Sequence, residues 1–331
     1  MSKLFKAVLF CACAAALALS VRAAARLFIR APAPRQASES ALCEEHSLSV
    51  VSAAPCAAER TLPAAAMRTR TPYCYNILVA GLDNAGGGSD TMLLVRFDAP
   101  NHRVDLVSLP RDTLLHHDWY SNRLNYAYAS GGIELLRSEV ENLLGVPVDF
   151  YVTVDLAGFV KLIDRIGGVD IDVPADMDYD DPAQELHIHF SRGMQHLNGE
   201  QAMEVVRWRR NNDGSGYADA DIGRIRTQQA FLAAAAAKAA DVASAPALAQ
   251  LLFSSVKTDL TAGNLAWLAS EALEIGTDGL RFHTLPGDGG GSYRRESVYV
   301  LDPEATLALV NEALNPYDMP VPAEETDIFV P

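Results

Sequence analysis

Basic charge is what this sequence has least of: 27 lysines and arginines stand against 42 aspartates and glutamates, a net charge of −15. That balance argues against a nucleic-acid binder, because duplex binding is dominated by cationic contacts to phosphate. No helix-turn-helix, zinc-finger or basic-region spacing offsets it. Cysteine is scarce too. The 5 present form no CxxC pair and no Cys/His spacing suited to zinc. Cys11 and Cys13 lie in an apolar run, while Cys43, Cys56 and Cys74 leave room for one disulfide, with Cys43 and Cys56 nearest in sequence. There is no internal repeat.

The N-terminal apolar run, Ala7–Val21, falls short of the roughly 20 residues that usually span a bilayer. Lys3 and Lys6 precede it and Arg22, Arg26 and Arg30 follow. Small residues at Val21–Ala25 offer a signal-peptide cleavage site, whereas a snorkelling Lys6 and the added length of Ala23–Ile29 suit a retained anchor. Both readings place the body of the chain outside the cytoplasm. Residues 1–30 are therefore expected to be a membrane anchor or signal-like segment, in the retained case single-pass. Residues 31–72, rich in Ala, Pro, Ser and Glu, read as a spacer, 73–316 as one catalytic domain and 317–331 as a tail.

Within the domain, Tyr75–Leu82, Thr91–Asp98 and Arg103–Leu109 are β-branched apolar runs bounded by turn residues, hence strands, the last two joined as a hairpin. Helical spacing runs over Gly132–Leu144, Leu156–Ile166, Asn198–Arg209, Gly223–Ala240 and Pro303–Leu314, with Asn198 and Gln201 in capping-box positions. Short strands are expected at Asp149–Val154, Val169–Val173 and Leu280–Leu285. Strands alternating with helices of these lengths predict an α/β fold, a single α/β/α sandwich with a central mixed β-sheet.

Charged side chains concentrate at strand ends. Asp83 ends one strand and Asp90 starts the next across a glycine-rich loop, so two carboxylates can converge on one hard cation, although Asp and Gly are also ordinary turn residues. The third strand finishes in Pro110-Arg111-Asp112, at the same edge if the hairpin forms. A guanidinium matches phosphate oxygens bidentately and stays charged. Arg123 and Asn125 follow in a polar-aromatic stretch. Arg207, Arg209, Arg210, Arg224 and Arg226 gather around the linker Asn211–Gly216, and Arg224 and Gln228 share a helix face. Surface Asp-Arg pairing would be worth little, and does not explain such a gathering in so acidic a chain. Acids and arginines together suit a phosphate ester or diphosphate with a metal. His187 and His189 share one strand face, but with no third ligand visible they do not make a metal site.

The ordered motifs GLDNAGGGSDTMLLVRFD, VSLPRDT, RLNYAYASGG, VDFYVTVDLAGFVKLIDRIGGVDIDVP, LNGEQAMEVVRWRR and DADIGRIRTQQ resemble the LytR-CpsA-Psr family from Tyr75 to about Lys238. The segment LPGDGGGSYRRESVYV resembles its closing part. The resemblance implies an extracytoplasmic phosphotransferase that moves a glycopolymer, of teichoic acid or capsular polysaccharide type, from a polyprenyl-diphosphate carrier onto peptidoglycan. It implies Mg²⁺ (or Mn²⁺) at Asp83 and Asp90, and a diphosphate clamp of Arg111, Arg207, Arg209, Arg224 and Gln228. Arg123, Asn125 and Asp221 are implied as further pocket residues. Thr227 departs from the family, where many members carry arginine, with Arg226 beside it as a possible substitute for the charge. The loop from Asp83 to Asp90 lacks the arginine often found there.

Asp112 and Asp221 are candidates for the base by type and place. Phe231, Leu232 and the alanines after them are candidates to line a lipid tunnel or to pack as an ordinary helix, and Tyr217 is a candidate sugar platform. Three rival functions share these residues: a polyprenyl-diphosphate phosphatase with water as acceptor, a membrane-bound transcriptional attenuator, and a non-catalytic binder. Charge and expected location speak against the attenuator.

Overall fold

The computed structural model describes residues 29–35, 68–82, 88–117, 121–182, 186–217, 221–242, 250 and 252–331, without the side chains of residues 90, 221, 222, 241 and 242. Residues 1–28 of the expected anchor, Asp83, Cys43 and Cys56 thus lie outside the described residues. Among the described residues no helix is long and apolar enough to cross a membrane.

Three consecutive strands form an antiparallel meander: β1 (Cys74–Leu82), β2 (Ser89–Asp98) and β3 (Arg103–Leu109). β4 (Phe150–Asp155) adds parallel to β1, β10 (Leu280–Thr284) parallel to β3, and the short β9 (Lys257–Thr258) antiparallel to β4. The order β10-β3-β2-β1-β4-β9 makes the expected central mixed sheet. Its three central strands, β1 to β3, are largely buried on both faces, which is why they read as apolar runs rather than as alternating patterns. Cys74, in β1, is buried with a free thiol whose pKa burial pushes up, as suits an inert packing residue.

One face of the sheet, through Leu78, Met92, Leu94 and Val107, packs on α1 (Leu124–Leu144) and α6 (Pro303–Ala313). The other, through Tyr75, Ile77, Phe97 and Val104, packs on α5 (Ala262–Ile275). α1 starts earlier than its apolar spacing suggests. It runs from Leu124 and breaks at Gly131 and Gly132, the latter at φ 68, and the expected Gly132–Leu144 helix is the portion after the break.

Beside the sandwich lies a second core that periodicity did not show. Two ribbons, β5 (Val169–Val173) with β8 (Gly193–Leu197) and β6 (Met177–Asp181) with β7 (Leu186–Phe190), pack on α2 (Leu156–Arg165), α3 (Gly199–Arg207) and α4 (Asp221–Val242). The Asn198–Gln201 capping box forms as expected, but α3 stops at Arg207 and leaves Arg209 beyond its end. A last hairpin, β11 (Gly287–Tyr293) with β12 (Glu296–Leu301), leans on the sandwich through Tyr299 and Leu301.

The segments flanking the domain are tied to it. Asp149, fully buried, accepts from the backbone N–H of Asn76 (2.9 Å) and of Arg35 (3.2 Å) and pairs with Arg70. Burial pushes its carboxyl upward, against the pull of Arg70. The Tyr75 hydroxyl, pushed up to about 12 by burial, donates to the Pro32 carbonyl at 2.7 Å. At the other end Val321 enters the main core and Phe329 stacks on His116 at 4.4 Å. Removing one partner of a buried ion pair strands the other. Asp149→Ala is therefore expected to lower unfolding free energy by about 3 kcal/mol, read from the urea midpoint. A loss under about 1 kcal/mol, the ordinary worth of an exposed pair, would contradict this anchoring role.

Candidate functional site

The chemistry-bearing residues collect where the central strands end. Leu82 pairs with Ser89 and Gly81 with Thr91, so Asp90 is the extra residue of a bulge at the open end of the β1–β2 pair, and Asp83 is the next residue after Leu82. Bulges commonly re-aim side chains beside functional sites. These chain positions suit a shared cation, two carboxylates from adjacent strand ends being a typical donor set for Mg²⁺.

β3 delivers Arg111 and Asp112 to the same end. The Pro110 carbonyl accepts from the Thr113 N–H (3.0 Å) and hydroxyl (2.6 Å), turning the chain. Asp112 then lies between two guanidiniums, with Arg111 Nε at 3.6 Å and Arg123 Nη1 at 3.3 Å. Arg123 also reaches Ser121 Oγ (3.1 Å) and Glu296 of β12 (3.9 Å). The Asn125 N–H donates to the Arg111 carbonyl at 3.0 Å, fixing the start of α1 against this turn. Arg111, Asp112 and Arg123 are thus joined through their side chains, with Asn125 tied in through its backbone.

α4 closes the site from the second core. Gln228 Nε2 donates to the Val206 carbonyl (3.1 Å) at the end of α3 and to Thr91 Oγ1 (3.4 Å) on β2. One residue on, Gln229 Nε2 donates to the His283 carbonyl (3.0 Å), Ser108 Oγ (3.3 Å) and Thr284 Oγ1 (3.3 Å). Arg224, one turn earlier, is 8% exposed, a guanidinium carried into the packed interior. Arg207 ends α3 beside Val206, and its Nη1 contacts Met203 Sδ at 3.6 Å. Gln228 thus ties α4 to β2 and to the end of α3, whereas Arg209 is exposed beyond the buried Trp208 cap. Asp221 opens α4.

Three side readings resolve as packing. Tyr217 sits edge-on to Trp208 (4.7 Å between centroids) and shares a 2.6 Å hydrogen bond with Thr227. It is held by protein rather than offered as a sugar platform. Thr227 is buried at that contact, and Arg226 is exposed, so Arg226 does not stand in for an arginine at 227. Phe231 is buried against Phe159, and Ala234, Ala235 and Ala239 pack on the second core. Two features escaped the sequence reading. The docking role of Gln229 depends on partners far away in the chain, and only the Gln-Gln pair on a helix hinted at it. A half-open cavity of about 210 Å³ adjoins Leu82, lined by Asp155, Lys161 and Lys257 among others.

With this geometry in view, comparison with known proteins is decisive. Residues 48–315 match the LytR_cpsA_psr family. The chain belongs to that family. It is 32% identical over 248 residues to the polyisoprenyl-teichoic acid–peptidoglycan teichoic acid transferase TagV of Bacillus subtilis, covering 70% of this chain and 61% of that protein. It is 34% identical over 196 residues to the TagU of the same description from Bacillus cereus, covering 56% of this chain and 60% of that one. The alignments thus span less than two thirds of these relatives. The crystal structure of B. subtilis TagV superposes with a TM-score of 0.60 at 27% identity, over 70% of this chain and 92% of that one. The LytR_cpsA_psr fold therefore accounts for the central mixed sheet.

The seating of α4 can be probed at Gly223, where an added Cβ would stand 2.3 Å from the Tyr217 ring. Overpacking of this kind costs about 2 kcal/mol. Gly223→Ala should lower the thermal midpoint by several degrees; an unchanged midpoint in differential scanning calorimetry would contradict the close Tyr217–α4 contact.

Proposed function

We propose that this chain is an extracytoplasmic phosphotransferase, tethered to the cell membrane by a single N-terminal segment. Its donor is a glycopolymer on a polyprenyl diphosphate, of teichoic acid or capsular polysaccharide type, and its acceptor is peptidoglycan. The observation that carries the reading is the pairing of Arg111 and Arg123 with Asp112 just past the end of β3, with Gln228 of α4 bonded to Thr91 near the start of β2, in a chain of net charge −15. Membership of the family and the names of its relatives support it.

In this reading Asp83 and Asp90 hold Mg²⁺ (or Mn²⁺), which when bound would neutralise charge on the diphosphate oxygens. An acceptor sugar hydroxyl attacks the phosphorus nearer the glycopolymer. The new P–O bond forms as the bridging P–O bond breaks, polyprenyl monophosphate leaves, and the hydroxyl proton passes to a base. Charge spreads over the phosphoryl oxygens in the transition state, so positioned cations carry most of the catalysis. Arg111, steadied by Asp112, and Arg207 and Arg224, steadied through the Gln228 contacts, serve that role. Arg209 reaches the same group from the exposed side. Asp112, already engaged by two guanidiniums, orients them, and Asp221 at the start of α4 is left as the base.

The reading is tested by a reconstituted assay with a polyprenyl-diphosphate glycan, peptidoglycan fragments and Mg²⁺. Linked product is expected, lost on chelation and restored by Mg²⁺. Phosphate release without linked product would replace transfer by hydrolysis. Arg111→Ala and Arg209→Ala should each lose about 100-fold in turnover with the fold intact, the size seen when one charge-stabilising donor is removed. Near-normal turnover would overturn the role of that arginine. Asp83→Ala and Asp90→Ala variants with full activity would overturn the metal-holding role of these carboxylates.

A further inference from the structure

β6 and β7 form a ribbon whose inner positions, Met177, Leu186 and Ile188, are buried in the second core. With a period of 2, the alternate positions face outward together. They are Asp178 and Asp180 on β6 and His189 and His187 on β7, directly paired across the ribbon. The third ligand that the two histidines lacked in the sequence is thus supplied by the partner strand.

We propose that Asp180, His187 and His189 form a divalent transition-metal site of the Zn²⁺ class, separate from the strand-end cluster. The candidate ligand atoms all lie within 4.8 Å of one another. His189 Nε2 stands 3.4 Å from Asp180 Oδ1. Two ligands on a tetrahedral Zn²⁺ at about 2.0–2.1 Å stand about 3.3 Å apart, so this pair already has the required spacing. His187 Nδ1 is hydrogen-bonded to the same Asp180 oxygen at 2.5 Å. A cation entering there displaces the shared proton and widens the contact, consistent with proton release on metal binding.

The orientation of His189 points the same way. Its Nδ1 is 2.8 Å from Asp178 Oδ1 while its Nε2 faces Asp180. A carboxylate on one imidazole nitrogen with a metal on the other is the usual arrangement of metal-binding histidine, because it fixes tautomer and ring plane. Asp178 is thus a positioning residue for His189. Three protein ligands leave a fourth position for water.

The site has a physical route to the arginines. The strand holding Asp178 and Asp180 is pinned to the loop after Arg209: Asn211 Oδ1 accepts from the Asp178 N–H and Asn212 Oδ1 from the Asp180 N–H, each at 2.7 Å. Asn212 Nδ2 returns a bond to the Asp180 carbonyl at 3.1 Å. A metal clamping β6 to β7 therefore stiffens the strand that holds this loop.

Calorimetric titration of the chelator-stripped full chain with Zn²⁺, in excess Mg²⁺ to occupy the Asp83–Asp90 pair, tests the site. One-to-one saturable binding is expected. His187→Ala and Asp180→Asn should weaken it beyond measurement, and Asp178→Asn by about 10–100-fold, as removal of an outer carboxylate does. All three positions are exposed, and circular dichroism of each variant checks that the fold persists. Absence of stoichiometric Zn²⁺ binding, or binding unchanged in His187→Ala and Asp180→Asn, would overturn the proposal. Hydrogen exchange should show Zn²⁺ slowing amides at residues 211–216; no change there would remove the link to the arginine loop.

Discussion

Two neighbouring glutamine side chains on α4 hold the two cores of this protein in register. Gln228 joins the end of α3 to β2, and Gln229 joins β3 to β10. Each such hydrogen bond is worth on the order of 1 kcal/mol, yet together they set the rotation of the helix. A helix turned by one residue swings its side chains by about 100°, and both amides would lose their partners. Arg224 is positioned by the same rotation, since it lies one turn before Gln228 on the same face. The placement of a buried guanidinium thus depends on two neutral amides.

This division of labour explains why the sandwich and the second core meet at the site. The sandwich supplies the strand ends with Arg111 and Asp112, and the second core supplies Arg207 and Arg224. Neither contains all the residues of the proposed clamp. Ligands in open α/β sheets commonly bind beyond the carboxyl ends of the parallel strands. β1, β4, β3 and β10, pairwise parallel, all end on this side.

What could be read from the sequence follows from what each element asks of its residues. β1, β2 and β3 are buried on both faces and so declare themselves as apolar runs. The α3 cap was legible because Asn198 and Gln201 bond each other's backbone locally. β6 and β11 were not. Met177–Asp181 is mostly acidic because its outer face is polar, and Gly287–Tyr293 is rich in glycine, a poor strand former. In the site, the proximity of Arg111 to Asp112 follows from adjacency, whereas the contact of Gln229 with His283 spans a long stretch of chain that no local pattern encodes. The pairing of Asp180 with His187 was hidden for the same reason: without the ribbon's register, two histidines had no third partner.

The central claim, a diphosphate clamp assembled across the two cores, is tested most directly by a crystal structure with a short polyprenyl diphosphate bound. The account predicts diphosphate oxygens within hydrogen-bonding distance of Arg111 from the sandwich and of Arg207 and Arg224 from the second core, beyond the ends of β1 and β3. A diphosphate held by residues of one core alone, or away from these strand ends, would contradict it.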